Sequence, residues 1–448
     1  MWTNPGTPVP IDASQLKVGL YVWLDVNWTE HPFLSNRFLV ETANDVAVIQ
    51  ALNVKGKLYY FPNSSTVPPA TAALAPDEIE AAAQAKARAD ILEQIRLMDK
   101  AKKTKLRAQK DAAARADQAW GAAARATREA LLNLPRSPKV AGQQIKTLSR
   151  ETASIFASGH EVLLHLLGDQ SEQGPHFHAL NTTTLCMLVG QKAGLNEKEL
   201  GDLAMAALAH DAGESQIPPQ ILKNANRKPH EEDHFRQHVK HSVQFALESG
   251  AFSHAALQTI ADHHETIDGS GWPKGKKDTS VSARILAIVD RYDTLCAPDV
   301  DHAPMMPAEA LATMFRKEGN RYDPGLLSTL IRLLGVYPPG TVVHLSDGSL
   351  AMVVAPGSHT LKPKVLIYNP DLPKDEAPAL ELDQELDLKI VEAIRPSTLP
   401  AHVLQWLNPQ QRLSYYFSLD DNRAKPPEPS PEGPQPSPQD ATKSVANY

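Results

Sequence analysis

The chain has 448 residues, of which 42% are hydrophobic and 22% charged, and its formal net charge is -7. At roughly 100–200 residues per domain, this length predicts two or three domains. The acidic balance argues against a general binder of DNA or of membrane surfaces, because either role favours an excess of basic residues. No run of about 18 apolar residues occurs, so we expect no membrane span. The N-terminus shows no secretory signal, so we expect a cytoplasmic protein.

The cysteine content excludes two further classes of protein. Only Cys186 and Cys296 are present, which is too few for a disulfide framework or a thiolate metal site. Both lie in apolar helical patterns, and we therefore expect each to be an ordinary buried side chain.

Residues 1–65 are predicted to form a small β-rich domain. Hydrophobic and polar residues alternate at 19–24, 37–40 and 57–61, and glycine or asparagine separates these runs. A period of two residues indicates strands. The stretch 64–76, rich in proline, alanine, serine and threonine, predicts a linker.

Residues 76–134 are predicted to form one long connecting helix. Alanine, glutamate, lysine, arginine and glutamine dominate there, and no glycine occurs between Pro76 and Gly121. Such a composition favours helix. The apolar stripe is thin and its heptad pattern irregular, which leaves open an exposed spacer helix and a coiled coil in a homodimer.

The remainder predicts a helical domain followed by a β module. Helical periodicity marks candidate helices, with no convincing strand among them, at 145–167, 177–194, 200–212, 235–249, 255–264, 281–296, 308–315 and 326–334. Residues 336–400 then predict a hairpin, turning at 346–348, with one further strand at 363–368. The proline-rich segment 421–448 is expected to be disordered. The predicted fold is mainly α: domain 140–335 is a helical bundle core, with a small β-rich N-terminal module, a long connecting helix and a C-terminal β hairpin module.

Histidine and aspartate side chains mark the chemistry of the helical domain. Five histidines and two aspartates come from separate candidate helices, namely His178, His210, Asp211, His238, His263, His264 and Asp290. In a helical bundle such side chains can converge on one pocket. Imidazole and carboxylate ligands without thiolate suit iron, manganese or zinc. Two ions about 3.5–4 Å apart can activate water and stabilise phosphoryl transfer.

Several of these assignments have alternatives. Asp290 lies within an apolar helix, where an unpaired carboxylate is costly, and it could pair with Arg284 or Arg291 instead of a metal. His176 competes with His178 as a ligand, and likewise His241 competes with His238.

Four segments of the helical domain resemble the motifs of HD-GYP domains. Residues 263–273 resemble the family signature, with Trp272 at the position of the usual tyrosine. Residues 210–218 resemble the HD motif, 284–293 the following helix, and 321–324 the closing Phe-Asp-Pro element. Domain 140–335 is therefore identified as an HD-type helical bundle.

The flanking segments extend this resemblance. Residues 16–22 and 31–34 resemble the small domain that often precedes HD-GYP domains. The C-terminal hairpin, opened by residues 335–340, resembles the tail that often follows them.

The resemblance implies a metal-dependent phosphodiesterase of bacterial second-messenger signalling. Its substrate would be cyclic di-GMP, cleaved to linear pGpG and often on to GMP by a hydroxide that two metal ions activate. The seven residues above would be the ligands of two divalent ions, iron or manganese. Asp211 would bridge the ions, and His210 and Asp211 would be the catalytic pair. Trinuclear members carry a glutamate one turn before the first histidine, where this chain has Gly174.

The signature loop is predicted to support the metal ligands. Gly269 and Gly271 would allow a tight turn with positive φ, and Pro273 would stiffen it. Asp268 would orient a histidine ring from outside the ligand set. Glu265 would either do the same or cap the loop locally.

The partners are implied by resemblance alone. Cyclic di-GMP or a related nucleotide is the expected ligand, and a diguanylate cyclase domain of the GGDEF type is a candidate protein partner. Trp272 would serve partner contacts or simply pack within the domain.

This chain departs from the family where the family binds phosphate. Glu214 stands where the HD motif usually has lysine, and Asp299 and Asp301 lie where a basic stretch is usual. Three lysines after the signature could replace those contacts, namely Lys274, Lys276 and Lys277. Two alternatives therefore stay open: a catalytically weak or inactive signalling or binding module, and a phosphohydrolase of another nucleotide.

Overall fold

A computed structural model describes most of the chain. The described residues are 7–26, 31–33, 36–52, 54–70, 120–157, 162–166, 175–297, 304–370, 372–374, 377, 379–384, 388–407 and 415–419, with single positions between 97 and 118. The predicted tail at 421–448, the acidic segment with Asp299 and Asp301, Gly174 and most of the predicted connecting helix lie outside them. Among the described residues, no helix is long and apolar enough to cross a membrane.

The N-terminal module is a four-stranded antiparallel sheet. Its strands are β1 (Val9–Pro10), β2 (Tyr21–Leu24), β3 (Arg37–Leu39) and β4 (Leu58–Tyr60), in the order β1-β4-β2-β3. Helix α1 (Ala43–Ala51) was not predicted, and it packs Ile49 into the core of this sheet. The available signal was the reciprocal capping box between Thr42 and Asp45 at its start.

A helical bundle follows the N-terminal module. Residues 120–133 and the isolated described positions before them are helical. The bundle helices are α2 (Pro138–Ala157), α3 (Pro175–Lys192), α4 (Glu197–Ala209), α5 (Pro219–Leu222), α6 (Pro229–Ser249), α7 (His254–Asp262), α8 (Val281–Cys296), α9 (Pro307–Lys317) and α10 (Pro324–Leu334). Helix α3 is buried along nearly its whole length and packs against α4 and α8. Cys186 and Cys296 are free and buried, as predicted.

One candidate helix is wrong. The prediction placed a helix at 145–167 and no strand in this domain, but α2 ends at Ala157 and β5 (Val162–Leu166) is a strand. It pairs antiparallel with β11 (Tyr415–Leu419). A short apolar run fits either structure by periodicity, and the partner that decides between them lies far away in the sequence.

The C-terminal module is larger than the predicted hairpin. Its strands are β6 (Val342–Leu345), β7 (Leu350–His359), β8 (Lys362–Ile367), β9 (Ala379–Glu381) and β10 (Ile390–Ile394), in the order β10-β6-β7-β8-β9. Helix α11 (Ala401–Leu407) packs Val403 and Leu407 against this sheet. The prediction of a mainly α protein with a helical core and two β modules is confirmed.

Candidate metal centre

The seven predicted ligands come together at one cleft of the helical bundle. His178 lies in the first turn of α3, His238 in α6 and Asp290 in α8. His210 is the C-cap of α4 and His263 that of α7, so Asp211 and His264 follow directly where these helices end. The sequence thus places most of the ligands at helix ends, where the chain leaves the buried helix and enters the cleft.

The ligand atoms form two groups that share Asp211. One group contains His178, His210, Asp211 and Asp290, and the other contains Asp211, His238, His263 and His264; within each, the ligand atoms lie within 4.8 Å of one another. Oδ2 of Asp211 is 3.2 Å from Nε2 of His210, whereas its Oδ1 is 3.4 Å from Nε2 of His238. Each oxygen of this carboxylate therefore faces a different set of histidines.

Two orphaned polar atoms show that the cluster fits a cation. Oδ1 of Asp211 and Nε2 of His263 are buried and have no hydrogen-bond partner among the described residues, although they lie 3.5 Å apart. Burying polar atoms without partners is costly. A divalent ion shared by a carboxylate oxygen and an imidazole nitrogen would satisfy both atoms.

Backbone carbonyls fix the orientation of three histidine rings. Nδ1 of His210, His238 and His263 lies 2.9, 2.8 and 2.7 Å, respectively, from the carbonyl oxygen three residues earlier. A carbonyl can only accept a hydrogen bond, so each Nδ1 must donate. In the neutral rings this leaves every Nε2 with a lone pair that points towards the cleft.

Asp293 orients the fourth ring, and the sequence reasoning missed it. Its Oδ2 lies 2.7 Å from Nδ1 of His178, and its Oδ1 accepts a hydrogen bond from Asn181 at 3.2 Å. The signal was its spacing of three residues from Asp290, which puts both carboxylates on one face of α8. A buried carboxylate behind a ligand histidine raises the basicity of that histidine.

We expect Asp293→Asn to weaken metal binding by roughly 10- to 100-fold, the usual cost of losing such a supporting group. The amide is nearly isosteric but carries no charge to hold the His178 ring. Competition with a chelating dye would measure the affinity. An affinity equal to that of the unmodified protein would show that the packing of α3 alone orients His178.

Carboxylates hold protons on two of the histidines. Burial lowers the pKa of His210, but the charge of Asp211 and the hydrogen bonds to Asp211 and Asp290 together outweigh burial and raise the pKa to about 10. Burial also opposes protonation of His178, yet two hydrogen-bonded carboxylates raise its pKa well above the usual value. In contrast, burial lowers the pKa of His238 to about 4. An ion that takes up His178 and His210 must displace their protons, so metal affinity is expected to fall as the pH falls.

The signature loop is held by its own carboxylates. Glu265 accepts hydrogen bonds from the backbone N–H groups of Lys274 and Lys276 at 2.7 and 2.8 Å, which is the local capping role. Asp268 accepts from the Thr266 hydroxyl at 2.6 Å and from Ser270. Both of these contacts are to Oδ1, and Asn320 donates to Oδ2 at 3.4 Å. None of the contacts joins Asp268 to a histidine ring, so its placement does not support the prediction that it orients one.

The two signature glycines are needed for different reasons. Gly269 has a positive φ of 81°, as predicted, but Gly271 has no positive φ. A Cβ at Gly271 would instead lie 2.5 Å from the carbonyl oxygen of His264. The peptide bond between Trp272 and Pro273 is cis. The Trp272 ring stacks on the His264 ring with a centroid distance of 4.0 Å. Trp272 thus packs against a predicted ligand.

The three lysines that follow the signature, Lys274, Lys276 and Lys277, are not among the residues that line the cleft. Nζ of Lys276 pairs with the buried carboxylate of Asp262 at 2.7 Å. The cleft, with a volume of about 600 Å³, is bordered by other basic side chains, namely Lys223, Arg227, Arg291 and Arg321. The prediction that Lys274, Lys276 and Lys277 contact substrate is not supported by their placement.

The competing assignments fail on geometry. Arg291 pairs with Glu318 at 2.6 Å and Arg284 with Asp278 at 3.1 Å, so neither arginine is the partner of Asp290. His176 and His241 belong to neither of the two ligand groups found in the described part of the chain.

The chain is similar to known proteins along most of its length. Residues 161–326 match the family model described as HD domain, and residues 9–145 match the domain of unknown function DUF3391. A cyclic di-GMP phosphodiesterase of Pseudomonas aeruginosa is 25% identical over 80% of this chain and 84% of its own length. The cyclic di-GMP phosphodiesterase response regulator RpfG of Xanthomonas campestris is 30% identical over 32% of this chain.

Further relatives also match only part of the chain. A 3'3'-cGAMP-specific phosphodiesterase of Vibrio cholerae is 28% identical over 34% of this chain. The chain spans 39% of the Xanthomonas protein and 30% of the Vibrio protein. Among solved structures, an HDG"Y"P protein of Bdellovibrio bacteriovorus is 16% identical, covers 72% of this chain and 97% of its own, and has a TM-score of 0.40. The chain therefore carries an HD domain of the HD-GYP type at residues 161–326 and a DUF3391 domain ahead of it at residues 9–145.

Proposed function

We propose that the chain is a phosphoric diester hydrolase that opens cyclic di-GMP to linear pGpG and on to GMP. The observation that carries this proposal is the carboxylate of Asp211, whose two oxygens face two separate sets of histidines. Such an arrangement suits two adjacent divalent ions, iron or manganese. Similarity to relatives named cyclic di-GMP phosphodiesterases supports the same substrate.

Each group of ligands would hold one ion. His178, His210 and Asp290 would bind the first, His238, His263 and His264 the second, and Asp211 would bridge both. Bound there, the ions would acidify a water molecule and neutralise charge on the phosphate. The chain itself fixes four of the five imidazoles through Nδ1, those of His178, His210, His238 and His263, so that these ligands are preorganised.

The biological setting follows from the same proposal. A cyclic dinucleotide phosphodiesterase would end a second-messenger signal in the bacterial cytoplasm. A GGDEF-type cyclase domain would be a fitting partner, because it makes the substrate. A homodimer through the helix at 76–134 stays a prediction.

A second candidate is a module that binds a cyclic dinucleotide without turning it over. Glu214 favours it, because this half-buried acid borders the cleft that would receive an anionic phosphodiester. Like charges in such a position weaken binding unless nearby cations compensate.

We expect the protein, purified anaerobically, to contain two ions per chain and to hydrolyse cyclic di-GMP when loaded with iron or manganese. Elemental analysis would give the metal content, and chromatography would separate pGpG from GMP. Cyclic 3'3'-GMP-AMP should be assayed in parallel, because some relatives are named for it. Two ions and tight binding without turnover would favour the second candidate, and absence of metal would refute the proposal.

A further inference from the structure

Among the described residues, four lysine and arginine side chains border the cleft beside the candidate metal ligands: Lys223, Arg227, Arg291 and Arg321. A phosphodiester is an anion, and a charge-assisted hydrogen bond from arginine is among the strongest contacts that such a group can make. The cation best placed to bind the phosphate is the one whose N–H groups are not already hydrogen-bonded to the protein.

Two of the arginines are committed to protein acceptors. Nε and Nη2 of Arg227 donate to the carbonyl oxygens of Ile221 and Leu222 at 2.8 and 2.9 Å. Nε and Nη2 of Arg291 donate to the carboxylate of Glu318 at 3.0 and 2.6 Å. The hydrogen bonds of both arginines therefore stabilise the walls of the cleft.

Arg321 differs from these two arginines. Its Nε is buried and has no hydrogen-bond partner, and its guanidinium forms no ion pair within the described ranges, which omit 298–303. The side chain is half-buried, so its donors have lost part of their hydration without gaining a protein acceptor. An acceptor inside the cleft would remove this cost.

The backbone of Arg321 is firmly placed. Its carbonyl oxygen accepts a hydrogen bond from the N–H of Ile267 at 3.0 Å, which ties it to the signature loop. The next residue, Tyr322, is only 5% exposed, and its hydroxyl lies 3.4 Å from the Glu318 carboxylate that also holds Arg291. Arg321 is therefore preorganised beside the loop that carries His263 and His264.

Lys223 has a different character. Its side chain is exposed, and an ammonium in solvent is strongly hydrated and makes a less directional contact than a guanidinium. Such a charge adds to the long-range attraction of anions but does not fix the position of a phosphate.

We propose that Arg321 is the substrate-binding residue that holds a phosphate of the nucleotide in this cleft. The proposal rests on the proposed function for the identity of the nucleotide, but its chemistry requires only a phosphate ester or diester. Arg321 also provides a positive charge in a cleft that Glu214 makes less favourable to anions.

The test compares R321Q and R321K with R316Q. Arg316 is an exposed arginine on α9 that does not border the cleft, which makes R316Q the matched control. We expect R321Q to raise KM for cyclic di-GMP by roughly 10- to 100-fold, as for loss of a charged hydrogen bond, with a smaller change in kcat. R321K should recover part of the loss, and metal content should be the same in all variants.

Binding of GMP and guanosine to the manganese-loaded protein supplies a readout that does not depend on turnover. R321Q should narrow the affinity difference between GMP and guanosine, because only GMP carries the phosphate. If the unmodified protein hydrolyses cyclic di-GMP but R321Q matches R316Q in KM and in this affinity difference, Arg321 does not bind phosphate and the proposed function stands. If cyclic di-GMP is not hydrolysed but the affinity difference depends on Arg321, the proposed hydrolysis of cyclic di-GMP is wrong and the assignment of Arg321 stands.

Discussion

Replacing Asp211 with asparagine is expected to lower kcat/KM for a phosphodiester by about three orders of magnitude. Each tenfold decrease corresponds to about 1.4 kcal/mol of lost transition-state stabilisation. The reason is geometric. Oδ2 of Asp211 lies 3.2 Å from Nε2 of His210, and Oδ1 lies 3.4 Å from Nε2 of His238. An asparagine keeps one oxygen for one group of ligands and turns an amide NH2 towards the other.

The loss of metal should accompany the loss of rate. Elemental analysis of Asp211→Asn is expected to show at least one ion fewer per chain than the unmodified protein. Asp233→Asn is the matched control, because this exposed carboxylate of α6 belongs to neither ligand group. Full metal content together with undiminished turnover in Asp211→Asn would exclude a bridging role for this residue.

The candidate ligand set could be proposed from the sequence because its signals are local. His210-Asp211 and His263-His264 stand directly after apolar helices, and Asp290 interrupts an apolar stretch within another. A carboxylate or imidazole in such a place is costly to bury unless it has a role. That these helices converge followed from the bundle and the resemblance, and in the structure the seven side chains form two groups that share Asp211.

What could not be predicted depends on contacts between distant segments. The strand Val162–Leu166 is specified by its pairing with residues beyond 414, which no local pattern reveals. The path of the signature loop turns Lys276 towards Asp262 and away from the cleft. Arg321 faces the cleft because its turn is hydrogen-bonded to Ile267, more than 50 residues earlier. Composition and spacing alone cannot distinguish such lysines and arginines.

A substitution at Gly213 is expected to damage the site although Gly213 is not itself one of the predicted ligands. A Cβ at this position would lie 2.0 Å from the carbonyl oxygen of His238 and 2.6 Å from the backbone nitrogen of Ser242. These are backbone atoms of α6, so no side-chain rotation can relieve the contact. The hydrogen bond from Gly213 N–H to the Ser242 hydroxyl, at 2.8 Å, shows how closely the two segments pack.

Gly213→Ala should therefore lower the free energy of unfolding by about 1–3 kcal/mol, the usual cost of overpacking a core, and should reduce metal affinity. Metal affinity should fall because separating the turn at Gly213 from α6 also moves Asp211 away from His238. Oδ1 of Asp211 and Nε2 of His238 are 3.4 Å apart in the structure. Urea unfolding and metal titration measure the two effects.

Gly201→Ala provides the comparison for this substitution. A Cβ there would have Ala153 of helix α2 as its nearest neighbour at 3.9 Å, which is an ordinary van der Waals contact between α4 and α2. Replacing glycine inside a helix should stabilise the protein by up to about 1 kcal/mol. If Gly213→Ala unfolds at the same urea concentration as the unmodified protein and keeps its metal affinity, α6 can move without disturbing the ligands. The short distance between Asp211 and His238 would then be maintained by the ligand groups themselves and not by the packing of the backbone around Gly213.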